Sequence, residues 1–198
     1  MSTASIQQIV RALMQRGTGF DYNSQSWREK RRKRCRAYLT TVRKKFGFDV
    51  FPDSRRHSHE YMVDLCWVSL GNKRWCIELA LEMEWDAHSH EVQYDFTKLV
   101  NVKAPRKIML CAPWPTHRSE TLSEVIRMIR QAKYRTNREQ YAIVFFVFTK
   151  SDSELVREGI EARAFFINYK GRVTSELIAE NGAIHTTRNE PIWSKVSR

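Results

Sequence analysis

In the stretch Cys76-Ile77-Glu78-Leu79-Ala80-Leu81-Glu82-Met83-Glu84-Trp85, apolar and acidic residues alternate. Read as an extended strand, it carries Glu78, Ala80, Glu82 and Glu84 on one face and Ile77, Leu79, Leu81, Met83 and Trp85 on the other. Carboxylates this close resist joint ionisation, so the array calls for cations. A hard divalent ion with oxygen ligands, Mg²⁺ or Mn²⁺, would neutralise it. Asp64 lies 18 residues before Glu82, inside the apolar run YMVDLCWV, where a buried acid is costly unless it is paired or metal-bound. Downstream, Glu91, Asp95 and Lys98 fall at i, i+4 and i+7 and share one face of a helix. The bland alternative is a solvent-facing strand whose glutamates pair with neighbouring Lys and Arg. Asp64 and a strongly basic chain tip the reading toward a metal centre with Asp64, Glu82 and Glu84 as ligands, Glu78 lying farther along the strand.

These residues need elements to hold them. Ile6, Ile9, Val10, Leu13 and Met14 have helical spacing, broken by Gly17-Thr18-Gly19. A second helix is expected from Ser24 or Ser26 through WREKRRKRCRAYLTTVRKKF to Gly47. Strand-like FDVF and YMVDLCWVSL follow, then a turn at Gly71-Asn72 and a second long strand, KRWCIELALEMEW, making a hairpin. HEVQYDFTKLVNV turns helical and stops before Pro105, and KIMLCA is the next strand. A helix from about Ser119 to Arg135, the strands YAIVFFVFT and EARAFFINY, and a short helix in SELIAENG closed by Gly182 complete the chain. The order α, α, β, β, β, α, β, α, β, β predicts an α/β fold, a mixed central sheet flanked by helices.

The chain has 34 Lys and Arg against 22 Asp and Glu, a formal charge of +12 that exceeds what solubility requires and points to a polyanionic partner. Nucleic acid fits best, because phosphate binding releases condensed counterions and rewards dispersed basic contacts. Arg28, Arg31, Arg32 and Lys33, in the basic first half of the second helix, and Lys73 and Arg74, at the hairpin, are the candidate backbone contacts. With 198 residues and 42% hydrophobic content, one full core and a single domain are expected. No apolar run reaches the ~20 residues that cross a bilayer, and the N-terminus lacks a signal-peptide pattern, so no membrane partner and a cytoplasmic location are expected. The four cysteines lack CxxC spacing and read as reduced, structural residues. His57-Ser58-His59-Glu60 and His88-Ser89-His90-Glu91 invite a zinc site, but no Cys completes either, and HxH in a polar turn is more often surface chemistry. There is no GxGxxG, P-loop or GxSxG, which disfavours nucleotide-dependent and acyl-transfer chemistry.

Taken with their element order, Asp64, Glu82 and Lys98 make the chain resemble the PD-(D/E)XK nuclease superfamily, the restriction-endonuclease-like fold, whose core order is αβββαβ. The resemblance covers residues 24–112, leaving 1–23 as an N-terminal helical extension and 113–198 as an additional helix and strands. It implies that Asp64 is the metal-binding Asp and Glu82 the first acid of the (D/E)XK tripeptide. Glu82-Met83-Glu84 departs from that pattern, with Glu where the family usually has its catalytic Lys. Some members supply the lysine from the adjacent helix, and Lys98 in DFTKL stands where such a substitute would. The literal dipeptide Pro52-Asp53 competes for the first acid, but FPDSRRHSH reads as a polar turn.

The resemblance implies a Mg²⁺- or Mn²⁺-dependent endonuclease hydrolysing DNA phosphodiester bonds, with Asp64, Glu82, Glu84 and Lys98 in the catalytic centre. A non-catalytic nucleic-acid-binding module on the same fold and an RNase are the alternatives. Double-strand cleavage would favour a homodimer.

Overall fold

Ser5 and Gln8 start the first helix by capping one another. The Gln8 N–H donates to Ser5 Oγ at 3.2 Å and the Ser5 N–H to Gln8 Oε1 at 3.0 Å, a capping box that serves two otherwise orphaned donors. The helix, α1 (Ile6–Thr18), buries Ile6, Ile9, Val10, Leu13 and Met14 along one side. In the computed structural model, residues 5–18, 27–51, 62–71, 74–85, 88–133, 136–148, 160–180 and 183–186 are described. The basic helix α2 (Trp27–Phe46) buries Cys35 and Leu39 and is followed by Gly47, whose φ of 72° lies in the left-handed region that glycine enters without steric cost.

The strands are β1 (Asp49–Phe51), β2 (Leu65–Gly71), β3 (Arg74–Glu84), β4 (Arg106–Cys111), β5 (Gln140–Phe148), β6 (Ile160–Asn168), β7 (Val173–Glu180) and β8 (Ala183–Thr186). They lie side by side in chain order in one mixed sheet. Only β3–β4 and β4–β5 are parallel, and these are the pairs joined through the helices α3 (Ser89–Asn101) and α4 (Arg118–Gln131). The remaining neighbours are antiparallel.

Alternation along the strands divides the core into two layers. Trp67, Leu81, Met83, Ile108, Leu110 and Val144 pack under α1 and α2. Cys66, Ala80, Met109, Cys111, Ile143 and Phe145 pack under α3 and α4, which contribute Val92, Phe96 and Leu99, and Leu122, Val125 and Ile129. α1 reaches across β5, β6, β7 and β8. Among the described residues no helix is long and apolar enough to cross a membrane.

The α/β class, the mixed sheet and the order of its first ten elements agree with the sequence reading; three local expectations do not. SELIAE forms most of β7 instead of a helix, with Asn181 and Gly182 outside the described residues, because Leu177 and Ala179 drop into the core opposite Ala164 and Ala162 while their backbone pairs with β6. Tertiary pairing overrides helix propensity there. Asp64 stands just before β2 and not within it. In the hairpin, Trp67 pairs with Leu79 and Val68 with Ile77, so Glu78 is an extra, bulged residue. Ile77 packs toward α3 and Leu79 toward α2, and Glu78 leaves the row of Glu82 and Glu84. Its carboxylate instead accepts from Ser69 Oγ at 2.9 Å and pairs with Arg106 at 3.6 Å.

Candidate active site

β3 outruns its partner β2: their pairing ends at Leu65–Leu81, while β3 continues to Glu84. Past that point the backbone of Met83 needs partners other than a strand. Asp64 supplies one, its Oδ2 accepting the Met83 N–H at 2.9 Å, and Arg32 supplies the other, its guanidinium donating to the Met83 carbonyl at 3.2 Å. Arg36, one helical turn on, donates to the Asp64 carbonyl at 2.7 Å. The end of β2 is thereby converted into a socket that holds Asp64, 7% exposed, beside β3.

Glu82 sits on the face of β3 covered by α3 and is 2% exposed. Helix α3 brings Lys98 over it, with Nζ 3.7 Å from Glu82 Oε1 and 2.7 Å from Asp95 Oδ1. The Lys98–Asp95 contact is a short charge-assisted hydrogen bond. The Lys98–Glu82 contact is an ion pair too long to be one, and Glu82 Oε1 is buried without a hydrogen-bond partner. The Glu82 carboxyl is pushed up to about 8, first by burial and then by the Asp64 charge; Lys98 opposes the shift and Asp95 adds to it.

Glu84, the last residue of β3, is half-buried and lies opposite Cys111 of β4, whose thiol is pushed well up by burial and then by the Glu84 charge. It stands one pleat beyond Glu82, roughly 7 Å along the strand. Among the described residues no group of three His, Cys, Asp or Glu side chains is gathered for a metal ion. The structure thus brings together Asp64, Glu82 and Lys98, adds Asp95 and Arg32, and leaves Glu84 at the margin.

The site still suits a hard divalent cation. Mg²⁺ is commonly held by one or two carboxylates, with waters and substrate oxygens completing its shell. Two buried carboxylates, the charge of Asp64 raising the proton affinity of Glu82 and one Glu82 oxygen orphaned, would form such a donor pair.

Of the candidate backbone contacts, Lys33 and Arg74 are exposed. Arg32 is 44% exposed and also faces Asp64, its NH2 3.9 Å from Oδ2. Arg28 and Arg31 lie in α2, their side chains not among those described, and Lys73, Pro52-Asp53 and His57–Glu60 lie outside the described residues. The rings of His88 and His90 lie 5.6 Å apart, tilted by 31°, and His90 Nε2 is 3.1 Å from Glu91 Oε1. The inward role of Arg32 and Arg36 is not apparent in the crowded basic run; their i, i+4 spacing, in register with buried Cys35 and Leu39, is the signal that carries it. Comparison with protein-family models, curated proteins and solved structures gives no match to this chain.

Proposed function

We propose that the chain is a Mg²⁺-dependent endonuclease that hydrolyses DNA phosphodiester bonds, with Asp64 and Glu82 holding the cation. The observation that carries the proposal is Glu82: a carboxylate buried in a sheet, one oxygen without a hydrogen-bond partner, with Asp64 and Lys98 at hand. Natural cores seldom keep such a group unless it has work to do. The element order α2-β1-β2-β3-α3-β4, with β4 parallel to β3, supports the restriction-endonuclease-like αβββαβ assignment of this half of the chain.

When bound, the divalent ion would activate water and offset charge on the scissile phosphate. The protein's part is positional and electrostatic. Asp64 is oriented by the Met83 N–H, whose bond falls on Oδ2 and leaves Oδ1 for the ion. Lys98 orients the attacking water or stabilises the charge developing on the phosphate, and Asp95 fixes the ammonium from the adjacent turn of α3. Exposed Lys33 and Arg74, with Arg28 and Arg31, attract the phosphate backbone. Glu84, where the tripeptide's lysine would stand, favours a second reading, a nucleic-acid-binding module without catalysis.

Plasmid nicking in Mg²⁺ or Mn²⁺, against EDTA and beside Asp64→Ala and Glu82→Ala, separates the two. Metal-dependent cleavage lost in both variants supports the enzyme. Binding without cleavage under any metal supports the module. An RNA substrate run in parallel decides between DNase and RNase.

A further inference from the structure

Resting on the metal-dependent reading above, we infer that Arg32 competes with the divalent cation for Asp64 and, once displaced, contacts a phosphate of the bound nucleic acid, so that metal loading and substrate binding are coupled through one side chain. Arg32 differs from every other contact of Asp64. The Met83 N–H donates to the Asp64 carboxylate at 2.9 Å and the Arg36 guanidinium to the Asp64 main-chain carbonyl at 2.7 Å, whereas the Arg32 guanidinium faces the carboxylate Oδ2 at 3.9 Å. That is an ion pair without a hydrogen bond, which attracts the carboxylate and does not lock it. Arg32 is also 44% exposed, so its head can exchange its 3.2 Å hydrogen bond to the Met83 carbonyl for solvent while its stem stays on α2.

The charges make the competition unavoidable. A dication at Asp64 repels a guanidinium less than 4 Å from the same carboxylate, and binding the ion must push the guanidinium aside or be weakened by it. The displaced group then stands at the mouth of the site, where a phosphodiester held by the ion presents anionic oxygens, and a guanidinium suits these better than an ammonium does. By reciprocity, a phosphate that engages Arg32 lifts it from Asp64 and tightens the hold on metal. Arg36, less exposed and bound to the Asp64 carbonyl at 2.7 Å against the 3.2 Å of the Arg32–Met83 bond, is held more firmly and only orients.

The test measures Mn²⁺ binding by calorimetry to the full chain without nucleic acid, comparing wild type, Arg32→Gln, Arg32→Met, Arg32→Lys and Arg36→Gln. Competition predicts that Arg32→Gln and Arg32→Met, the latter keeping the aliphatic stem, bind Mn²⁺ about two- to fivefold more tightly. Arg32→Lys, which keeps the charge, stays near wild type. Arg36→Gln binds more weakly, because a loosened Asp64 is a poorer ligand. In the slow-cleaving Lys98→Ala background, Mn²⁺ should raise affinity for a short DNA duplex, and adding Arg32→Gln should remove most of that gain. Equal or weaker Mn²⁺ binding by both folded, uncharged Arg32 variants overturns this inference and leaves the parent reading standing, whereas wild-type Mn²⁺ binding that does not depend on Asp64 overturns both.

Discussion

Two clusters of charge are buried on the same face of one sheet, and they are finished differently. At the start of β4 and β5, Lys107 is fully enclosed, and its ammonium donates to Glu139 Oε2 at 3.0 Å, Tyr141 Oη at 3.2 Å and the Val100 carbonyl at 3.3 Å. Tyr141 in turn donates to Glu139 Oε2 at 2.6 Å and the Thr136 N–H to Oε1 at 3.3 Å. Each donor of the ammonium has an acceptor, so the network is complete without help from outside. Two residues farther along the parallel strands, Glu82 and Asp64 share the same low-dielectric layer with one carboxylate oxygen lacking a hydrogen bond and the nearest cation, Lys98, held by Asp95. Burial alone therefore does not mark a functional group. What sets the second cluster apart from the first is an incomplete set of partners beside a second like charge, which on the proposed reading leaves a place for a ligand.

The sharpest way to break this contrast is Glu82→Gln. Cleavage should fall to background while resistance to urea at pH 8 rises, since the change removes an unsatisfied acid; a variant that both cuts and unfolds like wild type would dissolve the distinction between the clusters. Lys107→Met should do the reverse. Removing one partner of a buried pair costs about 3–5 kcal/mol of stability, read from denaturant unfolding, and the folded fraction should cut at the wild-type rate. Lys98→Ala is expected to lower the single-turnover cleavage rate by ~10²–10³ with DNA affinity largely kept. Full-rate cleavage by that variant removes Lys98 from the mechanism.

A subtler signature is pH. In EDTA the Glu82 carboxyl, near 8 when folded and 4.5 when free, stays protonated in the folded chain where the unfolded chain has released its proton. That contribution is complete below 4.5 and is lost as pH climbs toward 8, so the advantage of Glu82→Gln over wild type should widen across this window and then level off. A gap independent of pH would show that Glu82 ionises normally. Smallest of all, Lys33→Ala or Arg74→Ala should weaken DNA binding modestly and lower the salt-dependence slope by about 1 each, without changing the rate at saturation.

Much of this architecture can be read from residue order. Alternation marks β3, helical spacing marks α1, α3 and α4, Asp64 stands out because charge in an apolar context is expensive, and Lys98 because it shares a helix face with Glu91 and Asp95. What escapes are effects that depend on pairing between distant segments. The Glu78 bulge needs the register of the hairpin, and β7 needs the alanines of β6 opposite Leu177 and Ala179. Lys107 reads as the polar start of a strand until Glu139, 32 residues away, closes on it. Arg32 hides in a basic run because its inward geometry is set by where β2 ends.

The sheet's strand order, identical to the order along the chain, also has a consequence for how the protein is made. Each strand meets its partner as soon as it follows it out of the ribosome, so the sheet can grow by addition at one edge, with little conformational search per step. Arg32, Asp64, Glu82 and Lys98 belong to the portion synthesised before β4, whereas α1, although it can pack on α2 earlier, completes its docking only with β5 through β8. The strands and helices that carry Asp64, Glu82 and Lys98 thus form before the later edge of the sheet against which α1 packs.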